Sequence, residues 1–225
     1  MLRNLIPIEQ IDASKHILIK SDKENLAQAS VLYSYLLTLH KKVSLYAQSM
    51  DAKFSFLPWM DKVRENRMSS ADMEIDSNIK ILDLYNFLQD NALKINAKMA
   101  TALYAGFLKR YKNLMEEDVD GTVFAAMSQL ITLGADHKLC VRQLYKSVPL
   151  RMIRLKSILF KKLLLQENAR VACVSISDAD LLASGASMQE AKDAAAELLN
   201  VVHVEEVHLV KSDENNRIIK IIKDV

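Results

Sequence analysis

Two patterns of apolar positions alternate in the first quarter of the chain. Residues 16–20 (HILIK) form a short apolar run typical of a buried strand, and residues 26–39 carry apolar side chains at helical spacing. Residues 43–47 predict a second strand. A strand, a helix and another strand in succession favour a parallel sheet covered by helices. After these elements, residues 54–60 predict a turn, and the polar stretch 64–77, which has no clear period, predicts a linker.

Helical periodicity dominates the middle of the chain. It predicts five helices, at residues 79–91, 96–114, 122–133, 137–145 and 149–165. Asp120 and Asp136 stand where N-terminal caps belong, and Gly134 stands where a C-terminal cap belongs. Pro149 opens the last of these helices, at a position where its missing N–H is not needed.

The alternation of strands and helices returns near the C-terminus. Residues 170–177 predict a strand, and two helices follow, the second beginning with a capping box of Ser187 and Glu190. Two more strands and the polar turn between them are predicted at residues 204–210, 218–222 and 212–216.

Together these elements predict an α/β fold with two lobes. The first lobe, residues 1–146, is expected to be rich in helices and to contain a parallel sheet. The second lobe, residues 167–225, is expected to be a small mixed α/β domain. A linker helix over residues 147–166 is expected to join the two.

Composition narrows the classes of function. The chain has 225 residues, 50% of them hydrophobic, and a formal net charge of +2, which argues against a globally basic nucleic-acid-binding protein. Four widely spaced glycines exclude a glycine-rich phosphate loop. Cys140 and Cys173 lie too far apart for a CxxC motif and are expected to be reduced thiols in a cytoplasmic protein. No targeting or membrane-spanning segment is predicted.

Positive charge is concentrated in one segment. From Lys138 to Arg170 there are nine Lys and Arg residues and a single acid, Glu167. One interpretation is a solvated helix face whose aliphatic stems cover apolar surface. The other is a patch that binds phosphate or single-stranded nucleic acid.

A search for catalytic motifs finds none. No two of the five histidines lie three or four positions apart, and no GxSxG, HExxH or Walker motif occurs. The residues by themselves therefore do not predict an active site.

The order of segments carries a resemblance to a known family. Residues 99–108 (MATALYAGFL), followed after a gap by a helix ending in LGAD at residues 133–136, resemble the DHH phosphoesterases of the bacterial nano-RNase and 3′-phosphoadenosine 5′-phosphate phosphatase type. Residues 147–156 (SVPLRMIRLK) are similar to the family's linker helix. Residues 170–186 are similar to the start of its smaller, DHHA1-type domain, and residues 16–43 to its first strand, helix and second strand.

The resemblance implies a two-domain phosphoesterase fold, but this chain departs from the family's metal-binding motifs. Family members bind two manganese ions through His and Asp side chains and hydrolyse phosphoesters. Here the residues after the first strand read KSDKENLA, without His or Asp-x-Asp, and Ser21 with Glu24 predicts a capping box. No Asp-His-His occurs, and cations follow Gly106 where the family has an Asp. No catalytic residue, manganese or other cofactor is therefore expected.

Three hypotheses follow. In the first, the protein is a non-catalytic relative that interacts either with another protein or with a phosphate-bearing ligand such as a nucleotide or short RNA. Its candidate phosphate-binding residues are Lys109, Arg110, Lys112, Arg151 and Arg154. In the second, an active phosphoesterase uses a rearranged site built from Asp22, Glu24, Asp76 and Asp83. In the third, the chain is a truncated or decaying phosphoesterase, because the family's glycine-rich motif would follow Val225.

Interaction with other proteins is a further expectation. The strand at residues 218–222 is apolar and is expected at a sheet edge, where a protein partner or a second copy in a homodimer could pair with it. No interaction with a membrane is expected.

Overall fold

The computed structural model describes residues 6–67, 70–213 and 217–223. It divides into two compact units, Met1–Ser147 and Val148–Val225.

The first unit contains a parallel four-stranded sheet with strand order β3-β2-β1-β4. Its strands are β1 (His16–Ser21), β2 (Lys42–Ala47), β3 (Val63–Arg64) and β4 (Met73–Asp76). β1 lies inside the sheet, and all its residues except Lys20 are buried. This burial on both faces explains the continuous apolar run in its sequence.

Helices cover this sheet. They are α1 (Ile8–Ala13), α2 (Leu26–Thr38), α3 (Ile81–Asp90), α4 (Ala97–Arg110), α5 (Gly121–Thr132) and α6 (His137–Val141), the last continued by a π-helical turn (Arg142–Lys146). Short 3-10 turns lie at Ala52–Phe54 and Met60–Lys62. α2 is buried at every position from Leu26 to Leu36 because it packs against β1 and β2 and also against α4. Gly106 permits α4 to pack closely against Ile81 of α3, since a Cβ at this position would lie 2.6 Å from Ile81 Cδ1.

The linker predicted at residues 64–77 is wrong, because it contains β4. Only Ile75 of this strand is buried, so its sequence carries little hydrophobic signal. Hydrogen bonds fix the strand instead: Asp72 Oδ2 accepts from the backbone N–H of Lys15 (2.9 Å) and His16 (2.8 Å). Asp76 therefore ends a strand, and it does not share a helix face with Asp83.

The Asp72 contact makes stability depend on pH. Hydrogen bonds from the backbone of His16 and Lys15 lower the pKa of Asp72 from its ordinary 3.8. A lowered pKa in the folded state stabilises the fold above pH 3.8, and this contribution is lost as the pH falls through the folded-state value. We expect Asp72→Asn to lower the urea midpoint, followed by Trp59 fluorescence, at pH 7 and by a smaller amount at pH 3. Asp90→Asn, at an exposed position, should change neither midpoint, and an equal deficit of Asp72→Asn at both pH values would contradict the assignment.

Most capping predictions are confirmed, but several helix ends differ. Asp120 and Asp136 accept backbone hydrogen bonds at the starts of α5 and α6, and Gly134 has φ +94° after α5. α4 ends at Arg110 rather than near residue 114, because residues 112–114 adopt left-handed backbone conformations.

The second unit is a mixed sheet with helices packed on it. Its elements are α7 (Leu150–Lys161), β5 (Leu164–Gln166), β6 (Val171–Ile176), α8 (Asp178–Ser184), α9 (Met188–Ala196), a 3-10 turn (Glu197–Asn200), β7 (Glu206–Lys211) and β8 (Arg217–Lys223). Strand order is β5-β6-β7-β8, with β6 and β7 parallel and both edge strands antiparallel to their neighbours. The capping box of Ser187 and Glu190 is present. Residues 214–216 of the predicted turn lie outside the described residues.

The predicted linker helix packs in the second unit. α7 buries Leu155 and Leu159 completely, in one core with Ala172, Val174 and Val207 of the sheet. The helix also ends at Lys161, and the apolar residues that extend the helical pattern beyond it form β5.

The predicted α/β class, with a parallel sheet in a helix-rich lobe and a small mixed lobe, is confirmed.

Candidate phosphate-binding site

Carboxylates follow three neighbouring strands at the C-terminal edge of the first sheet. Asp22 follows β1, Asp51 lies beyond β2 and Asp76 ends β4. Each uses Oδ1 to accept the backbone N–H two residues further along the chain, at 2.9 Å for Asp22, 3.0 Å for Asp51 and 2.9 Å for Asp76. These are Asx turns, in which the side chain fixes the loop that leaves the strand.

The capping box predicted for Ser21 and Glu24 is wrong. Ser21 still belongs to β1, and its buried hydroxyl donates to the Asp22 carbonyl and accepts from Ser77 Oγ at 2.8 Å. Asn25 is the N-cap residue of α2, and Asp22 Oδ1 accepts from the N–H groups of Glu24 and Asn25, just before the helix. The prediction failed because Ser21 is the last residue of β1 and α2 begins only after Asn25. Glu24 consequently keeps its carboxylate for another partner.

That partner is Lys109, in the last turn of α4. Its Nζ lies 2.9 Å from Glu24 Oε2 and donates to the carbonyl oxygens of Lys23 and Glu24, each at 3.2 Å. The ammonium also lies 4.8 Å from the centre of the Phe54 ring. The Lys109 side chain is only 28% exposed, so its charge is held against the loop after β1 rather than extended into solvent.

The other four predicted phosphate-binding residues are arranged differently. Arg110 pairs with Asp118, and Lys112 pairs with Glu116 at 2.7 Å, both within the turn that follows α4. Arg151 Nε donates to Glu190 Oε1 at 2.8 Å, within the second unit. Arg154, also on α7, is exposed and has no ion-pair partner among the residues described. Three of the five candidates therefore lie in the first unit and two in the second.

Comparison with known proteins supports the fold. No protein-family model matches the chain, and no curated protein matches its sequence. The crystal structure of an exopolyphosphatase-related protein from Bacteroides fragilis matches with a TM-score of 0.78 at 10% identity, over 97% of this chain and 82% of that one. The chain shares the fold of that exopolyphosphatase-related protein.

A second solved structure is too dissimilar to add to this result. It is a protein of Methanococcus jannaschii assigned to the family II inorganic pyrophosphatases, with a TM-score of 0.37 and 7% identity, over 87% of this chain and 83% of that one. In the described ranges of the chain, no helix is long and apolar enough to cross a membrane.

The donor groups of this chain do not fit the manganese ions that the resemblance to the DHH phosphoesterases implies. Asp22 Oδ1 accepts three hydrogen bonds, from two backbone N–H groups and the Asn25 amide, and Glu24 is bound to the Lys109 ammonium. A cation beside these carboxylates would repel a dication. Among residues 6–67, 70–213 and 217–223, no three His, Cys, Asp or Glu side chains are placed to hold a metal ion. Asp83, the fourth acid of the rearranged-site hypothesis, lies in the first turn of α3.

The two thiols and His16 are not placed for chemistry. Cys140 is fully buried, and burial raises the pKa of its thiol to about 12, while burial also raises the pKa of Cys173. Both shifts keep the thiols protonated, which makes them poor nucleophiles. His16 is bonded on both ring nitrogens, to the Ser70 carbonyl at 3.2 Å and to Ser44 Oγ at 2.9 Å.

Two features of the first unit were not found from the sequence. One is the contact of Glu24 and Phe54 with Lys109, which joins residues far apart in the chain. The other is a shallow cavity of about 500 Å³ lined by residues of α2, the start of α4 and the turn between β2 and β3: Ser34, Leu37, Thr38, Trp59, Asn96, Ala97 and Lys98. No local motif marks either feature.

Proposed function

We propose that the protein binds a phosphate-bearing ligand, such as a nucleotide or a short RNA, at the C-terminal edge of the first sheet and does not hydrolyse it. The observation that carries the proposal is the ammonium of Lys109, held against the loop after β1 by carbonyl oxygens and the Phe54 ring. In open α/β sheets, ligands bind outside the carboxyl ends of the strands. Lys109 places at that edge an ammonium group, whose charge and N–H groups are of the kind that recognises phosphate.

The same geometry argues against hydrolysis. Phosphoester hydrolysis in metal-dependent enzymes needs an ion that lowers the pKa of a bound water and neutralises developing charge. Lys109 can neutralise charge on a phosphate oxygen but cannot generate a hydroxide. Asp22 Oδ1 accepts three hydrogen bonds from the loop after β1, so this oxygen is not free to act as a general base.

The binding test is a substitution at Lys109. Lys109→Met keeps an unbranched side chain of similar length and removes the ammonium that lies over the Phe54 ring, so the fold should persist. We expect the affinity for 3′-phosphoadenosine 5′-phosphate, measured by isothermal titration calorimetry, to fall by about 10-fold or more, the scale of a lost charged hydrogen bond. Lys94→Gln removes an exposed lysine of the same unit and should leave affinity within about 2-fold. Equal affinities of wild type and Lys109→Met would place the ligand elsewhere.

A turnover assay tests the non-catalytic part of the proposal. Wild-type protein with excess manganese should not release phosphate from 3′-phosphoadenosine 5′-phosphate or cleave an RNA dinucleotide above background. Turnover that disappears with a chelator would contradict the proposal. It would favour the alternative of an active phosphoesterase with a rearranged site, and substitution of Asp22, Glu24, Asp76 or Asp83 would then identify the ligands.

The remaining candidates stay predictions. Arg154 has an exposed, unpaired guanidinium among the residues described and is the more available of the two arginines on α7.

A second candidate function, interaction with a protein partner or a second copy, is favoured by one observation: β8 is an edge strand, and its Ile218 and Ile221 are 47% and 45% exposed.

A further inference from the structure

The ammonium of Lys109 has no donor left for a ligand. A lysine ammonium has three N–H groups. Here three oxygens lie within reach, the Glu24 carboxylate at 2.9 Å and the carbonyls of Lys23 and Glu24 at 3.2 Å. Any anion that binds Lys109 must therefore displace one of these oxygens.

Only the carboxylate can leave without refolding the loop. The two carbonyls belong to the segment between β1 and α2, whose backbone N–H groups are fixed by the Asp22 side chain. The Glu24 side chain is 60% exposed, and its other oxygen, Oε1, lies 4.0 Å from Lys23 Nζ. Glu24 can therefore turn from Lys109 toward Lys23 and remain beside a positive charge.

We propose that Glu24 is an internal competitor for Lys109, which the phosphate-bearing ligand must displace. This inference rests on the proposed function and identifies Glu24 as the residue that limits the affinity of the Lys109 site for its ligand. The carboxylate occupies the position that a phosphate oxygen would take, so the free protein holds Lys109 in a self-neutralised state. When the ligand binds, Lys109 exchanges its contact with Glu24 for a contact with the ligand, and the Glu24 side chain turns away.

The test is a double-mutant cycle in ligand affinity. The four proteins are wild type, Glu24→Gln, Lys109→Met and the double variant, each titrated calorimetrically with 3′-phosphoadenosine 5′-phosphate. We use about 0.15 M salt, at which charges more than about 8 Å apart are largely screened. Glu24→Gln should bind about 3- to 5-fold more tightly than wild type, the scale of a lost surface ion pair. In the Lys109→Met background, Glu24→Gln should change affinity by less than about 1.5-fold, because no ammonium is then present for which Glu24 and the ligand compete.

A matched control removes a charge elsewhere. Glu117→Gln deletes one exposed carboxylate of the same unit and should leave affinity unchanged. Wild-type binding with no gain in Glu24→Gln, or an equal gain in the Lys109→Met background or in Glu117→Gln, would overturn the inference and leave the proposed function standing. Absence of binding to both wild type and Glu24→Gln would overturn the two together.

Discussion

Replacing Phe107 by alanine is expected to lower the free energy of unfolding of the first unit by about 3–5 kcal/mol. Phe107 is completely buried in α4, where its ring meets the edge of Tyr85 at 6.0 Å and stacks with Tyr111 at 6.0 Å. Truncation leaves a cavity among these rings, on the helix that also carries Lys109. The substitution therefore removes both burial and two aromatic contacts.

Urea unfolding followed by tryptophan fluorescence measures this effect in one unit. Trp59 is the single tryptophan of the chain, and it stacks with Tyr33 in the first unit at 5.3 Å between ring centres. Phe124→Ala is the control, because Phe124 is 54% exposed on α5 and its loss should change stability by less than about 0.5 kcal/mol. Similar losses for the two variants would show that Phe107 does not have the packing described.

The elements that could be predicted from the sequence are those with strong local patterns. β1 and α2 are buried on both sides, and their apolar runs identify them without knowledge of their neighbours. The caps at Asp120 and Ser187 follow from the same local rule, that a side-chain oxygen satisfies free N–H groups at a helix start. β4 was missed because it has one buried residue, Ile75, and depends on long-range hydrogen bonds to Asp72, which precedes it.

Only part of the candidate site could be predicted from local sequence patterns. Lys109 could be identified from its place after Gly106 in a stretch that resembles the family. Its bond to Glu24 could not, because 85 residues separate the two and only the packing of α4 beside the loop after β1 brings them together. The local S-x-x-E pattern predicted that Ser21 and Glu24 form a capping box. The structure instead places Ser21 in β1, where it pairs with Ala47 of β2.

The boundary between the units depends on α7, which carries much of the positive segment found in the sequence. An amphipathic connector and a core helix of the second unit have the same helical period, so the sequence leaves both interpretations open. The structure separates them by burial. Leu155 and Leu159 are inside the second core, whereas Ile153 on the same helix is 53% exposed.

We expect Leu155→Ala to destabilise the second unit by about 2–5 kcal/mol. Its side chain is completely buried in the core that contains Val174 of β6, so truncation leaves a cavity between helix and sheet. Because the second unit contains neither tryptophan nor tyrosine, hydrogen exchange of the β6 amides is the measurement, and their protection should fall accordingly. Ile153→Ala is the control on the same helix and should leave β6 protected. If the two variants gave equal protection, α7 would be a solvated linker, and the second unit would begin only after it.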